Sequence, residues 1–328
     1  MEPKISVIIP AYNGGATIGR CIESVIGQSL RELEIIIIDD GSSDNTYEIA
    51  SSYSEKDGRI RVIRQEHMGQ GAARNAGMDC AAAEYIGFVD CDDTIEPEMY
   101  LNMLERIEQS GADVVQCNIL DVFENGTKLI QLPIFEQDVA VFDRRKYFSE
   151  YVFRNLHSSE CCNKLVRAEL IKNHGIRFRK NSEVFAEDLL FNLELALHLK
   201  SIAFLGDTYY NYYQHSSSHS KQNGEGKILL LFNLFEIFGK KLSDPGLIAE
   251  TGNLATLIIL INLSHILDTD AGRAFARQIL KRRDLRLYIR YSLKCLKRPH
   301  QKLIMLLLLM LPVNARVFLV KLYYENMK

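Results

Sequence analysis

The chain has 328 residues, of which 47% are apolar and 25% charged, and its formal net charge is −3. This composition predicts a globular protein with a sizeable core and one or two domains, and the overall charge gives no reason to expect a nucleic-acid partner. The seven cysteines include no C-x-x-C pair, which argues against a disulfide framework or a structural zinc site and favours reduced thiols in a cytoplasmic protein.

Strands and helices alternate over the first 120 residues. The β-branched apolar runs predict strands at Ile5–Pro10, Leu33–Asp40, Ile60–Gln65, Tyr85–Asp90 and Ala112–Ile119. Between them, apolar spacing and composition predict helices within 14–28, from Asn45 to Tyr53, from Gly71 to Ala83 and from Pro97 to Ser110. This alternation predicts an α/β fold with parallel strands and helices on both faces of the sheet.

Acidic clusters lie at the carboxyl ends of two of the predicted strands. Asp39 and Asp40 form one cluster, and Asp90, Asp92 and Asp93 form the other. Ligands of such sheets bind outside the carboxyl ends of the strands, so both clusters are expected to face one crevice. A calcium loop starting at Asp40 is excluded, because it needs glycine at its sixth position and glutamate at its twelfth. An Asx-turn with helix capping is the alternative interpretation of Ser42–Thr46.

The second cluster has the pattern of a metal site. Asp90 and Asp92 are two residues apart, and neighbouring carboxylates raise each other's pKa unless a cation neutralises them. Magnesium or manganese takes one or two carboxylates together with substrate phosphates. The alternative is a solvated loop in which Asp93 caps the next helix.

Four motifs together resemble family 2 glycosyltransferases of the GT-A fold. They are "PAYN" at Pro10–Asn13, "DDGSSDNT" at Asp39–Thr46, "GQGAARNAG" at Gly69–Gly77 and "FVDCDD" at Phe88–Asp93, and their order and spacing match as well. The resemblance covers roughly Ile5 to Ser220. It implies a Rossmann-like, mostly parallel sheet in a GT-A domain over 1–220, with a nucleotide-binding half (1–118) and an acceptor half (119–220). A C-terminal helical region would follow over 221–328.

The resemblance also implies a role for each matching residue. Residues expected at the nucleotide sugar are Pro10, Ala11 and Tyr12 at the base, Asp40 at the uracil with Asp39 in support, Arg74 and Asn75 beside the nucleotide, and Asp90 and Cys91 of the D-x-D motif. Asp90 would reach the ribose or the metal, and Asp92 would ligate the metal that bridges the diphosphate.

Three later segments extend the likeness. "CCNKLVRAELI" (Cys161–Ile171) resembles a W-N-K-L-Y-R segment, with Cys162 where tryptophan is usual. "VFAEDLLFN" (Val184–Asn192) matches an E-D motif, which makes Asp188 the expected general base and Glu187 its neighbour or substitute. The alternative is an acidic first turn that favours the helix dipole.

A tyrosine-rich segment, Tyr209–Ser220, occupies the position of a strand that ends in basic residues in the family. Within it, His215 would complete the metal shell or contact the diphosphate, and the alternative is a solvated histidine. Gln214 stands where arginine is common, so the contacts to the diphosphate are expected to differ.

The C-terminal region is strongly basic. From Gly272 onward it has 14 Lys or Arg residues against Asp284 and Glu325. Arg282, Arg286, Arg290, Lys294 and Arg298 recur every four residues beside an apolar stripe, which predicts a basic amphipathic helix. The apolar run Leu303–Leu311 that follows is too short to span a bilayer. The helices are expected either to cap the catalytic domain or to dock on anionic lipid at the cytoplasmic face of the membrane.

The implied activity is inverting transfer of a hexosyl or N-acetylhexosaminyl group from a UDP-sugar, with magnesium or manganese as cofactor. The acceptor would be a cell-surface saccharide or a lipid-linked saccharide. Two alternatives are a nucleotidyltransferase of related fold and a non-catalytic nucleotide-sugar or glycan-binding module. The N-terminal segment lacks the Gly-rich loop with arginine that the first requires, and the presence of both "DCDD" and "AED" argues against the second.

Overall fold

The computed structural model describes residues 2–131, 139–141, 160–214, 224–296 and 298–325, and for 139–141 and 322–325 it describes the backbone alone. These residues form two compact units. The first contains 2–131, 139–141, 160–181 and 187–214, and the second contains 182–186, 224–296 and 298–325. The first unit holds the sheet, and the second is built from helices.

Ten strands of the described residues form one sheet in the first unit. They are β1 (Ile5–Ala11), β2 (Leu33–Asp39), β3 (Ile60–Arg64), β4 (Tyr85–Phe88), β5 (Thr94–Ile95), β6 (Val114–Phe123), β7 (Lys128–Ile130), β8 (Val139–Val141), β9 (Lys164–Arg167) and β10 (Ser201–Gln214). Their order across the sheet is β3-β2-β1-β4-β9-β6-β10-β5, with β7 paired to β6 and β8 paired to β10. All five predicted strands are confirmed.

The helices of this unit are α1 (Ile18–Ile26), α2 (Thr46–Ser54), α3 (Gln70–Cys80), α4 (Met99–Ser110), α5 (Ala168–His174) and α6 (Glu187–Ala196). The four predicted helices are confirmed as α1 to α4, and they cover both faces of the sheet. Ile9 of β1 belongs to the apolar core that includes Ile22 of α1, whereas Ile8 faces α3. A Cβ at Gly77 of α3 would lie 2.4 Å from Ile8 Cγ2, so α3 packs against β1 at a distance that only glycine allows.

Parallel pairing brings the two acidic clusters to one edge of the sheet. β1 lies between β2 and β4 and runs parallel to both, with Ala11 opposite Asp39 and Ile8 opposite Phe88. The segments that follow β1, β2 and β4 therefore leave the sheet at the same edge. The expectation that both clusters lie at one edge of the sheet is confirmed.

An antiparallel strand interrupts the parallel order. β9 lies between β4 and β6 and runs antiparallel to both. β10 then pairs parallel with β6. The sequence analysis did not predict β9, because four residues are too few to show a period. The expected α/β class is confirmed, with antiparallel pairings added at β9 and at the short strands β5, β7 and β8.

The second unit contains α7 (Glu225–Gly239), α8 (Pro245–Ser264), α9 (Asp270–Ile279), α10 (Arg283–Cys295), α11 (Pro299–Met310) and α12 (Val313–Glu325). α8 packs against α7, α10 and α12. It starts with an N-cap, in which Asp244 accepts hydrogen bonds from the main chain of Gly246 and Leu247. The C-terminal helical region expected within 221–328 is confirmed over the described residues.

Of the helices in the described ranges, α8 alone is long and apolar enough to cross a bilayer. Half of its most apolar stretch is buried within the protein, however, and the core helix of a soluble protein has the same length and composition. This helix is therefore weak evidence for a membrane span.

Candidate active site

The loop after β1 is held by the turn after β2. The main-chain N–H of Gly14 donates to Thr46 Oγ1 at 2.8 Å, and that of Gly15 donates to Asp44 Oδ2 at 2.9 Å. Asp44 Oδ1 also accepts from the main-chain N–H of Thr46 at 3.1 Å, which is the Asx-turn that the sequence offered as an alternative. The capping part of that interpretation is wrong, since Asn45, the N-cap of α2, makes no side-chain cap bond.

Asp39, the first carboxylate of the pair, is fully buried at the end of β2. Its Oδ1 accepts a hydrogen bond from the main-chain N–H of Ser42 at 3.2 Å, and its Oδ2 lies 3.1 Å from Arg64 Nε. The Arg64 side chain remains 47% exposed, so this ion pair has one buried partner and one in contact with solvent.

Asp40 is 2% exposed and is surrounded by donors from the loop that follows β3. Its carboxylate accepts from Gln65 Nε2 at 2.6 Å and from the main-chain N–H groups of Met68 and Gly69 at 3.0 and 2.8 Å. His67 Nδ1 lies 2.9 Å from Oδ2. Consecutive residues at the end of a strand point in opposite directions, so the two like charges reach different partners.

The predicted base pocket has one exposed aromatic face. Tyr12 is 47% exposed and stacks on His67, with ring centroids 4.0 Å apart and an interplanar angle of 22°. Pro10 and Ala11 are buried at the end of β1, directly before it. Because His67 also contacts Asp40, the structure brings Tyr12 and Asp40 to the same place.

The loop after β4 carries the second acidic cluster, and Asp93 fixes it to β10. Asp93 is buried, and it accepts hydrogen bonds from Tyr210 Oη and from the main-chain N–H of Tyr213, both at 2.8 Å. Burial, together with the charges of Asp92 and Asp90, raises the pKa of Asp93 well above its usual value. The alternative in which Asp93 caps the next helix is wrong, since Glu98 occupies the N-cap of α4.

Close packing joins this loop to the loop after β1. A Cβ on Gly14 would lie 2.9 Å from Cys91 Sγ, so the two loops touch where glycine leaves space. Arg20 of α1 donates to the main-chain carbonyl of Asp92, and its guanidinium stacks 3.7 Å from the ring centroid of Tyr213. Sequence reasoning missed Arg20, because an arginine in an amphipathic helix is ordinarily solvated.

Arg74 connects the D-x-D loop to the predicted catalytic acids. It lies in α3 with its side chain 1% exposed, and its Nη2 is 2.8 Å from Asp90 Oδ1. Its Nη1 is 3.2 Å from Glu187 Oε1 and 2.5 Å from Asp188 Oδ1. Three carboxylates therefore surround one buried guanidinium. Sequence reasoning placed Arg74 beside the nucleotide without finding these partners, although a buried arginine in an alanine-rich helix requires carboxylates.

Asp188 retains 23% side-chain exposure in the first turn of α6, so the helix-terminus interpretation also describes its position. Its Oδ2 lies 3.5 Å from Cys161 Sγ. Burial raises the pKa of the Cys161 thiol, which keeps it protonated and able to donate. Burial also raises the pKa of Asp188 to about 7, and the charges of Glu187 and Asp90 add to this against the opposing effect of Arg74.

Two neighbours of Arg74 on α3 have different roles. The Asn75 side chain donates to the main-chain carbonyl of Phe178 at 2.9 Å and accepts from its N–H at 3.0 Å, so both amide atoms hold the chain beside α3. Gln70, which sequence reasoning missed, donates to Asp90 Oδ1 at 3.0 Å. Asn75 and Gln70 thus hold parts of the site in place, although neither belongs to an acidic motif.

The segment around Cys162 belongs to the core. Cys162, Asn163 and Lys164 are each at most 2% exposed, and Asn163 Nδ2 donates to the main-chain carbonyl of Cys117 at 2.8 Å. The position at which the family usually has tryptophan is therefore filled by a small buried thiol.

Further along, Gln214 donates to Asp121 Oδ1 at 3.0 Å. His215 lies outside the described residues. Within the described ranges, no three acidic, histidine or cysteine side chains are grouped so as to hold a metal ion by themselves.

Comparison with known proteins identifies the family to which the chain is similar. Residues 6–175 match the model of the family described as Glycosyl transferase family 2. The chain is 31% identical over 258 residues to the putative glycosyltransferase EpsH of Bacillus subtilis (strain 168), which covers 78% of this chain and 69% of that protein. It is 34% identical over 229 residues to the uncharacterized glycosyltransferase EpsJ of the same organism, which covers 66% of this chain and 63% of EpsJ.

A solved structure shows the same fold. The crystal structure of S. aureus TarS 1-349 in complex with UDP-GlcNAc matches with a TM-score of 0.74 at 22% identity, over 99% of this chain and 92% of that one. At this identity the match supports the GT-A fold alone. Together with the family model and the relatives, it shows that the chain belongs to glycosyl transferase family 2 and is a glycosyltransferase.

Proposed function

We propose that this protein transfers a sugar from a UDP-sugar to a hydroxyl of a saccharide or lipid-linked saccharide in cell-surface polysaccharide synthesis, with inversion at the anomeric carbon. The observation that carries the proposal is the contact of buried Arg74 with both Asp90 and Asp188. A residue of the D-x-D loop and the candidate base are thereby linked through one side chain. Donor and acceptor chemistry need such proximity, because a displacement requires reacting groups about 3 to 3.5 Å apart.

The donor is proposed to bind along the edge where β1, β2 and β4 end. The exposed face of Tyr12 offers a stacking surface for a base, and Asp40 lies next to it through His67. The TarS structure of the same fold is a complex with UDP-GlcNAc, which supports a uridine nucleotide sugar as the class of donor. Base stacking on an aromatic ring is independent of the sugar, so the pocket leaves the choice of sugar to other contacts.

A divalent cation, magnesium or manganese, fits the loop after β4. Asp90 and Asp92 are only partly buried, and three carboxylates, Asp90, Asp92 and Asp93, lie within four residues of the chain. Burial raises the pKa of both Asp93 and Cys91, and the charges of Asp92 and Asp90 add to this effect. Asp90 and Asp92 would hold the ion together with the diphosphate of the donor. When bound, it would act as a Lewis acid that stabilises the charge of the departing diphosphate.

The proposed general base is Asp188. It takes the proton of the acceptor hydroxyl as the oxygen attacks the anomeric carbon, while the bond from that carbon to the diphosphate oxygen breaks. Arg74 orients the carboxylate through Oδ1, and the Cys161 thiol lies at Oδ2. Glu187 shares Arg74 Nη1 and is more buried than Asp188, with 11% side-chain exposure against 23%, which makes it the weaker candidate.

The test is turnover of a panel of UDP-sugars with manganese by the Asp188→Asn variant. The amide keeps the shape of the side chain but cannot accept the proton, so kcat should fall by about 10²- to 10⁴-fold. Binding of the UDP-sugar, measured by calorimetry, should remain near that of the unchanged protein.

Glu187→Gln is the matched control, because it alters the neighbouring carboxylate on the same guanidinium. Its kcat should fall far less. An Asp188→Asn variant with full activity would show that another residue is the base, and absence of UDP-sugar binding by the unchanged protein would contradict the proposed donor.

A further inference from the structure

The exposed face of α10 is a row of cations. Arg286, Arg290 and Lys294 are all exposed and recur at helical spacing, with exposed Leu287 beside them. Leu285 and Ile289 form the opposite, buried face. The helix is therefore anchored in its unit by one side and presents positive charge with a leucine on the other.

The next helix, α11, has an exposed apolar face. Leu303 is 57% exposed, Leu306 43% and Met310 78%, and they lie three and four residues apart on one side of the helix. Met305 and Leu308 are buried, so this helix has a separate apolar face that packs inward. The helix therefore has two apolar faces, one that is buried in its unit and one that is exposed to solvent. α10 and α11 contact each other, so their exposed faces belong to neighbouring helices of the second unit.

The cations of α10 lack acidic partners among the described residues. Asp284 is the one acidic residue of α10, and it is bound to Arg282 at 2.6 Å. α11 has no acidic residue, and Lys302 adds another exposed cation next to Leu303. Within the part of the chain that the structure describes, no ion pair balances the charge of Arg286, Arg290 or Lys294.

Positive charge beside exposed leucine and methionine distinguishes between two possible occupants. A second copy of this chain would bring the same cations face to face, and like charges at an interface oppose association. An anionic lipid surface places phosphates opposite the cations and takes the apolar side chains into its headgroup–acyl boundary. The composition of the face favours the lipid.

We propose that the exposed faces of α10 and α11 form a docking surface for an anionic membrane. Arg286, Arg290, Lys294 and Lys302 contact lipid phosphates, and Leu303, Leu306 and Met310 insert at the interface. This proposal extends the proposed function, because a lipid-linked acceptor would be presented at such a surface. Only the link to a lipid-linked acceptor rests on the proposed function. Binding of the membrane itself does not.

The test uses the full chain and co-sedimentation with vesicles of phosphatidylglycerol and phosphatidylcholine in equal parts, compared with vesicles of phosphatidylcholine alone. The protein should bind the anionic vesicles, and salt should weaken the binding. Each cation near the surface contributes about a fivefold factor to partitioning, so Arg286→Gln/Arg290→Gln should lower the partition coefficient by about thirtyfold. Leu303→Ser/Leu306→Ser should also weaken the binding to both kinds of vesicle.

The matched control is Lys56→Gln/Lys172→Gln, which removes two exposed cations from the first unit and should change partitioning by less than about twofold. Equal binding to both vesicle types, or anionic binding that neither double variant changes, would overturn the proposal. A dimer in light scattering that Leu303→Ser/Leu306→Ser dissociates would also overturn it, by identifying the face as a self-interface.

Turnover of a UDP-sugar in solution, measured on the same samples, separates this proposal from the catalytic one. Absence of vesicle binding by the unchanged protein, with turnover retained, contradicts only the docking surface. Vesicle binding by a protein that turns over no UDP-sugar contradicts only the catalytic proposal.

Discussion

The two acidic clusters at the edge of the sheet are neutralised in different ways. Asp39 and Asp40 are bound mainly by groups within 30 residues of the chain, including main-chain N–H donors and the half-exposed Arg64. Asp90 shares Arg74 with Asp188, a partner 114 residues from that arginine. The first cluster is thus a locally assembled binding turn. The second exists only when distant parts of the first unit have folded together, and it retains more negative charge than its arginine can balance.

The largest expected effect is on stability, and it separates the two arginines. Arg74→Gln leaves three carboxylates around a neutral side chain, and removing one partner from a buried ion pair costs about 3–5 kcal/mol. Arg64→Gln is the matched control at the other cluster, where the arginine is half exposed although Asp39 is buried, so a smaller loss of about 1–3 kcal/mol is expected. Urea unfolding at neutral pH measures both.

Equal losses of unfolding free energy in Arg74→Gln and Arg64→Gln would show that the two clusters depend equally on their arginines, which would contradict the prediction. Arg74→Lys helps to interpret the result, because it keeps the charge but cannot reach three carboxylates at once. It should restore part of the stability and less of the activity.

The second prediction concerns pH and the charge retained by the second cluster. Asp188, the proposed base, can accept a proton only when it is ionised, and burial raises its pKa to about 7. As pH falls below 7 the carboxylate is protonated, so kcat/KM should fall by about tenfold per pH unit and be about a hundredfold below its plateau at pH 5. A rate profile from pH 5 to 9 measures the midpoint.

The charge of Glu187 contributes to the raised pKa of Asp188, so Glu187→Gln should move the midpoint of this profile to lower pH. A profile that stays flat down to pH 5 would contradict the assignment of Asp188. An unchanged midpoint in Glu187→Gln would show that the two carboxylates are not coupled.

The smallest expected effect is at the first cluster. Two main-chain N–H groups donate to the charged carboxylate of Asp40, and Asp40→Asn removes that charge. The N–H₂ of the new asparagine would also face one of these two donors. Hydrogen bonds to a charged group contribute about 1.5–3 kcal/mol each, so a loss of about 2 kcal/mol in unfolding free energy is expected.

Asp44→Asn tests the same chemistry at an exposed residue that also accepts main-chain N–H bonds, and water should limit its cost to about 1 kcal/mol. If the Asp40 variant is no less stable than the Asp44 variant, the N–H groups around Asp40 do not depend on its charge.

Sequence patterns predicted those parts of the site whose determinants are local. The apolar runs of β1, β2 and β4 and the acidic residues after two of them were sufficient to predict the strands and the edge they share. The Asx-turn at Asp44 could likewise be predicted from the sequence, because the N–H that donates to Asp44 lies two residues away, at Thr46. These features depend on neighbours in the chain.

The missed features depend on neighbours in space. For Asp93 the sequence offered a helix cap as the alternative, whereas Asp93 accepts from Tyr210, which is 117 residues away. The three partners of Arg74 and the place of β9 between β4 and β6 have the same origin. No periodicity within a short window contains such pairings, so only the fold reveals them.

The missing side chain of Gly77 has a consequence for protein engineering. Because α3 touches β1 at Ile8, any larger residue at position 77 would push the helix, and Arg74 with it, away from the sheet. The spacing between helix and strand thus sets how far the guanidinium reaches. A mutant library intended to change the sugar preference should therefore keep positions 74 and 77 constant and vary the loops instead.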